Sequence, residues 1–179
     1  MKAEAPDPEE RGPVPEFGPV VGVGAFVEHE GRVLLIRRGK APGEGLWAIP
    51  GGRQRHGESV AQAAEREVFE ETSVQIRAHE MVYCFETMFD RAGVDIEGAR
   101  VLHGPGSQHL EQTAGQAEPA IAAAYHYLII DLRGEYLGGT PRPGDDARDA
   151  RWFTPDELRE IRAQIQAGTA AFLKDAGFL

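Results

Sequence analysis

The sequence predicts an α/β domain, with several short strands and hairpins arranged around a few helices. Three observations carry this. Short apolar runs bounded by Gly, Pro and acidic turn signals recur from Val20 to Phe153. One segment, residues 58–72, has a clear helical period. And 179 residues, 41% hydrophobic and 27% charged, suffice for one domain with its own core.

The elements follow in order. In residues 1–18, Pro6, Pro8, Pro13 and Pro15 are interspersed with Asp7, Glu9, Glu10 and Glu16. Little there can be buried, so a disordered or extended tail is expected, with an added edge or a homodimer contact as the alternative. The domain proper is expected over 19–179. Val20–Val27 reads as a buried strand, Glu30-Gly31 as a turn and Arg32–Arg37 as the hairpin partner. Gly39–Gly45 is a Gly/Pro loop, and Leu46–Ile49 is a short apolar strand broken by Pro50-Gly51-Gly52. After the helix, Val74–Phe89 suggests one or two strands. Residues 91–120 are Gly-rich and weakly periodic, and a structureless stretch of that length serves as a lid, a binding loop or an insertion. Ile121–Leu132 reads as a strand, Gly138–Arg148 as a loop and Arg151–Phe153 as a short strand. Thr154, Pro155 and Glu157 spell a capped helix start, with the helix running to about Gln166 and a short terminal helix after Gly168.

Bulk charge narrows the partners. With 19 basic and 29 acidic side chains, the net charge is -10. That argues against nucleic acid or an anionic membrane, which need a basic surface, and leaves room for a small anion carried with a divalent cation. Cys84 is the one cysteine, which excludes an intrachain disulfide and a Cys-rich zinc site. No run resembles a signal peptide or approaches the ~20 apolar residues of a membrane span, so a cytoplasmic protein is expected.

The chemistry concentrates in the helix. Glu67, Glu70 and Glu71, spaced three and four apart, fall within an arc of roughly 100°. The same arc holds Ala63 and Ala64, so the acids overlap the apolar stripe. Carboxylates roughly 5–6 Å apart repel by about 3 kcal/mol per pair at an effective dielectric of about 20. A hard divalent cation would compensate, while a solvated acidic face is the commoner fate of such a run. The loop before the helix, Pro50-Gly51-Gly52, lets the backbone turn sharply, and Arg66 can orient a neighbouring glutamate.

Gly52, Glu58, Arg66-Glu67-Val68, Glu70-Glu71 and Ser73-Val74 match the Nudix signature in order and spacing over 23 residues. Leu34-Leu35, the lead-in Gly45–Gly52, and Trp152-Phe153-Thr154 with Glu157-Leu158 also resemble that family. The resemblance covers roughly residues 20–166. It departs at Ser73, where the family usually has a glycine, often with positive φ; a serine can leave the helix differently at modest cost. What the resemblance implies is an α/β/α sandwich with a mixed β-sheet, and a Mg2+-dependent hydrolase, with Mn2+ as a substitute, acting on a small nucleotide. Gly52, Glu67, Glu70 and Glu71 would hold metal, and Arg66 would position a catalytic glutamate. Glu58 would support the loop, or serve only as an acid at the helix start.

A general base is also required. Asp146, six residues before Trp152, is the candidate, with Asp145 and Glu71 as rivals and a plain Asp turn as the alternative. Arg37, Arg38 and Arg53 are candidate phosphate contacts, against ordinary surface pairing. Trp47 is either a base-stacking platform or a core aromatic. ADP-ribose, cut to AMP and ribose 5-phosphate, is the expected substrate. The rivals are a (deoxy)nucleoside triphosphate and a nucleotide-sensing module without catalysis.

Overall fold

β1 (Val20–His29) and β2 (Arg32–Arg38) form the expected hairpin, turned by Glu30 at φ 52° and Gly31 at φ 70°. Two successive left-handed residues give the turn twist that matches the strands. The computed structural model describes residues 19–41, 43–89, 100–104 and 125–179. The expected tail over 1–18 and most of the segment 91–120 lie outside these residues.

β1 changes partners along its length. Glu28 and His29 pair with β2, whereas Gly22, Val23 and Gly24 pair with β4 (Gly51–Arg53). Gly51-Gly52 was expected to break a strand and instead forms one. The reason is close backbone approach: a Cβ on Gly51 would lie 2.3 Å from the Val23 carbonyl oxygen and 2.7 Å from the Gly24 Cα. β2 goes on to pair with β3 (Trp47–Ala48) and β8 (Ala147–Phe153).

On its other side β1 runs parallel to β7 (Tyr125–Gly138), which is antiparallel to the long β5 (Gln75–Phe89). The sheet is therefore mixed. Val74–Phe89 resolves into one irregular strand, with register shifts near Ala78 and Met81. β6 (Arg100–His103) pairs with β5 inside the stretch expected to be structureless.

α1 (Val60–Thr72) packs Ala63, Ala64 and Val68 against Val23, Ala25, Val27 and Leu132 on one face of the sheet. α2 (Pro155–Glu160) and α3 (Ala167–Asp175) cover the other face through Leu158, Phe172 and Leu173, which meet Phe26, Leu35, Trp47 and Tyr83. That is the expected α/β/α sandwich. α2 is shorter than expected. After a single 3-10 turn at Arg162–Gln164 the chain extends, Ile165 is buried, and the Gln166 N–H donates to the Trp47 carbonyl at 2.8 Å. Burying Ile165 and pairing with Trp47 outweigh another helical turn.

Two backbone and burial features have energetic consequences. Ser73 ends α1 at φ 59°, ψ 11°, so the serine adopts the left-handed conformation of the usual glycine itself. Its N–H bonds to the Phe69 carbonyl, and the Arg142 and Gly144 N–H groups bond to the Thr72 and Glu71 carbonyls at 2.8 and 3.0 Å. The capped helix end holds the strained residue in place. Asp131, in mid-β7, lies between Ile130 and Leu132, which pack toward α1, so it faces the opposite layer. It is 5% exposed, and burial pushes its pKa up to about 7.

Ser73→Gly should stabilise the protein by about 0.5–1 kcal/mol, because glycine carries no penalty at positive φ. Denaturant unfolding checks this, and an unchanged or lower midpoint would refute it. Asp131 yields a second prediction. Its raised pKa means the folded state holds the proton between about pH 4 and 7. Stability from this group is complete below that window and is lost as pH rises through it. Asp131→Asn should therefore flatten the fall in Tm between pH 5 and 8. Parallel Tm profiles for the two proteins would contradict it.

Candidate metal centre on the acidic helix

Ser59 starts α1 through a capping box with Gln62, and the helix then turns Glu67, Glu70 and Glu71 toward β4 and the loop before β8. The overlap of acids and apolar stripe is borne out in the burial: Glu67 is 8% exposed and Glu71 3%. Glu67 lies directly over Gly52, where a Cβ would come within 2.5 Å of its carboxyl group. The Glu71 Oε2 accepts the Gly51 N–H at 2.8 Å. Each glycine thus lets a buried carboxylate approach the strand.

Arg66 holds the cluster together. Its Nε and Nη2 donate to the two oxygens of Glu58 at 2.6 and 2.9 Å, and its Nη1 donates to Glu67 at 2.6 Å and Glu70 at 3.0 Å. Nη2 also reaches the Arg53 carbonyl at 3.0 Å. The pair with Glu58 holds Glu58 down at about 2 and raises the guanidinium further still. Glu58 also accepts the Arg55 N–H at 2.9 Å, so it is a brace between loop and helix.

Burial pushes Glu67 up despite the hydrogen bond from Arg66. It pushes Glu71 up to about 8 against the Gly51 N–H, with the neighbouring Asp146 and Glu67 adding to the rise. Both carboxylates are short of positive partners. Oxygens of Glu67, Glu70 and Asp145 lie within 4.8 Å of one another. An all-carboxylate set around one point, with glycine backbone close by, fits a hard divalent cation.

The expected residues do not all arrive together. Glu67, Glu70, Glu71, Arg66 and Gly52 do. Asp145, the rival to Asp146 as general base, lies with Glu67 and Glu70 in the cluster; it sits at φ 46°. Asp146 lies close enough to raise Glu71 and pairs with Lys40 at 3.7 Å. Trp47 is 2% exposed, stacked edge-on against Phe153 at 4.7 Å with the Arg151 guanidinium over its ring, so it has no free face for a base. Arg37 is exposed and donates to the Gly45 carbonyl, while Arg38, its neighbour on β2, faces Glu71. Arg53 reaches the Tyr127 hydroxyl at 3.2 Å. Arg55, absent from the sequence reading, contacts Glu70 at 3.1 Å. No spacing rule marks it, because it comes from an irregular loop.

Comparison with known proteins follows the same lines. A model of the NUDIX domain matches residues 18–175. An ADP-ribose pyrophosphatase from Methanocaldococcus jannaschii is 27% identical over 143 residues, covering 80% of this chain and 66% of that protein. A CTP pyrophosphohydrolase from Escherichia coli is 28% identical over 113 residues, covering 62% of this chain and 84% of the other. A NUDIX hydrolase from Nitrosomonas europaea has the same fold, with a TM-score of 0.61 at 22% identity over 93% of this chain and 74% of that one.

Gly52→Ala should displace the Glu67 carboxyl group and weaken Mn2+ binding about 10- to 100-fold in a calorimetric titration. Unchanged affinity would remove Glu67 from the metal site.

Proposed function

Because this chain belongs to the NUDIX family, we propose that it is a metal-dependent pyrophosphohydrolase that cuts a phosphoanhydride bond in a nucleoside diphosphate derivative, with ADP-ribose as substrate and AMP and ribose 5-phosphate as products. The observation that carries the reaction class is the closure of Glu67, Glu70 and Asp145 on one point beside the Gly51-Gly52 backbone. The similarity to an ADP-ribose pyrophosphatase supports the choice of substrate.

Glu67, Glu70 and Asp145 would hold Mg2+, or Mn2+ in its place, with Glu71 and the Gly52 backbone beside it. When bound, the metal lowers the pKa of a water, neutralises the diphosphate and stabilises the leaving oxygen. The rest is done by the chain. Arg66 fixes Glu67 and Glu70 in orientation, and Arg55 holds both oxygens of Glu70 from the loop side. The proton of the attacking water goes to a carboxylate, and Glu71 and Asp146 are the two that stand beside the cluster. Arg53, the last residue of β4, and Arg38, on β2 near Glu71, supply positive charge for phosphate oxygens.

A second reading has its own support. The similarity to a CTP pyrophosphohydrolase favours a nucleoside triphosphate, cut to a monophosphate and pyrophosphate. Products decide between them. With Mg2+ and a panel of ADP-ribose, other nucleoside diphosphate derivatives and nucleoside triphosphates, the highest kcat/KM is expected for ADP-ribose. Glu70→Gln and Asp145→Asn should each lower kcat by about 100-fold or more. Asp146→Asn with full activity would leave Glu71 as the proton acceptor. No turnover of any substrate would sink the hydrolase reading.

A further inference from the structure

Glu70 differs from its neighbours in the acidic cluster, because guanidinium groups take both of its oxygens. Oε2 accepts from Arg66 Nη1 at 3.0 Å and from Arg55 Nη2 at 3.1 Å, and Oε1 accepts from both terminal nitrogens of Arg55 at 3.4 Å. The two arginines are held differently. The Arg66 side chain is 15% exposed and locked in place, with its other donors committed to Glu58, Glu67 and the Arg53 carbonyl. The Arg55 side chain is 60% exposed, and Glu70 is the carboxylate it pairs with.

The backbone under Arg55 is fixed. Its N–H donates to Glu58 Oε2 at 2.9 Å, and its carbonyl accepts the Glu58 N–H at 3.1 Å, which closes a tight turn with Gly57 at φ 86°. Gln54, just before it, donates from its backbone to the Val21 carbonyl at 3.1 Å and from its side chain to the Glu58 carbonyl at 2.7 Å. The guanidinium is thus tethered at its root and free at its tip. An exposed ion pair of this kind stabilises a fold little and breaks at small cost. A divalent cation among Glu67, Glu70 and Asp145 breaks it for two reasons. It needs a Glu70 oxygen that Arg55 occupies, and its two charges repel a guanidinium held against the same carboxylate.

We propose that Arg55 is an exchangeable counter-ion of the site: it neutralises Glu70 in the metal-free protein, yields that carboxylate to the cation, and then donates its freed N–H groups to the diphosphate oxygens of the substrate. The proposal rests on the metal-dependent reading above and deepens it. Arginine suits the exchange, since a carboxylate and a phosphate present the same pair of oxygens to its planar fork. The consequence is coupling. The cation frees the guanidinium and the diphosphate occupies it, so each ligand favours the binding of the other through this one side chain.

The test is calorimetric titration of the full chain with Mn2+ alone, and then with α,β-methylene-ADP at saturating Mn2+. The bridging carbon of that nucleotide prevents hydrolysis, so the outcome does not depend on turnover. Arg55→Ala and Arg55→Gln should bind Mn2+ alone about 3- to 10-fold more tightly than the wild type. The same variants should bind the nucleotide about 10-fold more weakly. Arg77→Ala, which removes an equal charge from an exposed ion pair elsewhere, should change neither affinity. Weaker Mn2+ binding in the Arg55 variants would overturn the proposal by making Arg55 a brace for Glu70, and unchanged Mn2+ binding would overturn it as well. So would full nucleotide affinity in those variants, which would leave the freed side chain in solvent. A wild type that binds Mn2+ but no nucleotide would remove the diphosphate step, and one that binds no Mn2+ would sink this proposal together with the reading beneath it.

Discussion

The site depends on one guanidinium. Arg66 binds Glu58 on the incoming loop, Glu67 and Glu70 on its own helix, and the Arg53 carbonyl at the end of β4. Its five N–H donors lie in one plane, so those four partners are fixed in a common frame by a single side chain. A lysine could not replace it, since a point charge satisfies one or two oxygens without setting their angles. Glu67 and Glu70 therefore keep their orientation at some energetic expense: the carboxylates repel, and one guanidinium offsets only part of their charge. The shortfall remains on Glu67 and Glu71, which burial pushes toward the protonated form. A divalent cation that binds there displaces those protons and relieves the repulsion between the carboxylates.

Glycine makes the approach of helix and sheet possible. Gly51 and Gly52 bring bare backbone against Glu71 and Glu67, and Gly144 does the same against the Glu70 carbonyl, where a Cβ would lie 2.3 Å away. The last contact carries Asp145 to the helix. The Gly144 and Arg142 N–H groups cap the end of α1, so the loop that supplies an acid also satisfies the carbonyls the helix leaves open. Helix termination and site assembly share the same hydrogen bonds, which is why Ser73 can sustain a left-handed conformation there.

Much of this was legible in the residues. The spacing of Glu67, Glu70 and Glu71 against Ala63 and Ala64 implied buried acids, and the capping pattern at Thr154 gave the start of α2. What was not legible depends on contacts between distant segments. Gly51-Gly52 reads locally as a breaker, and only the proximity of Gly24 makes it a strand. Ile165 falls in a helical pattern, yet its burial beside Trp47 ends the helix. Between Asp145 and Asp146, one residue of register in a loop decides which side chain meets the helix, and composition carries no information about register. Trp47 could have stacked on a ligand, but its ring is enclosed by Phe153 and Arg151, which are far away in sequence.

Glu71 and Asp131 show how burial alone does not reveal the purpose of an acid. Both are nearly inaccessible, and both are raised by desolvation. Glu71 has a backbone N–H on one oxygen and acids on either side, so what it lacks is positive charge, and a metal supplies that. Asp131 has no charged group of the described residues against it and lies among apolar and aromatic side chains. What it lacks is a donor, which a cation surrounded by its own oxygen ligands does not provide. The two faces of one sheet thus hold two differently incomplete carboxylates, one short of positive charge and one short of a hydrogen-bond donor.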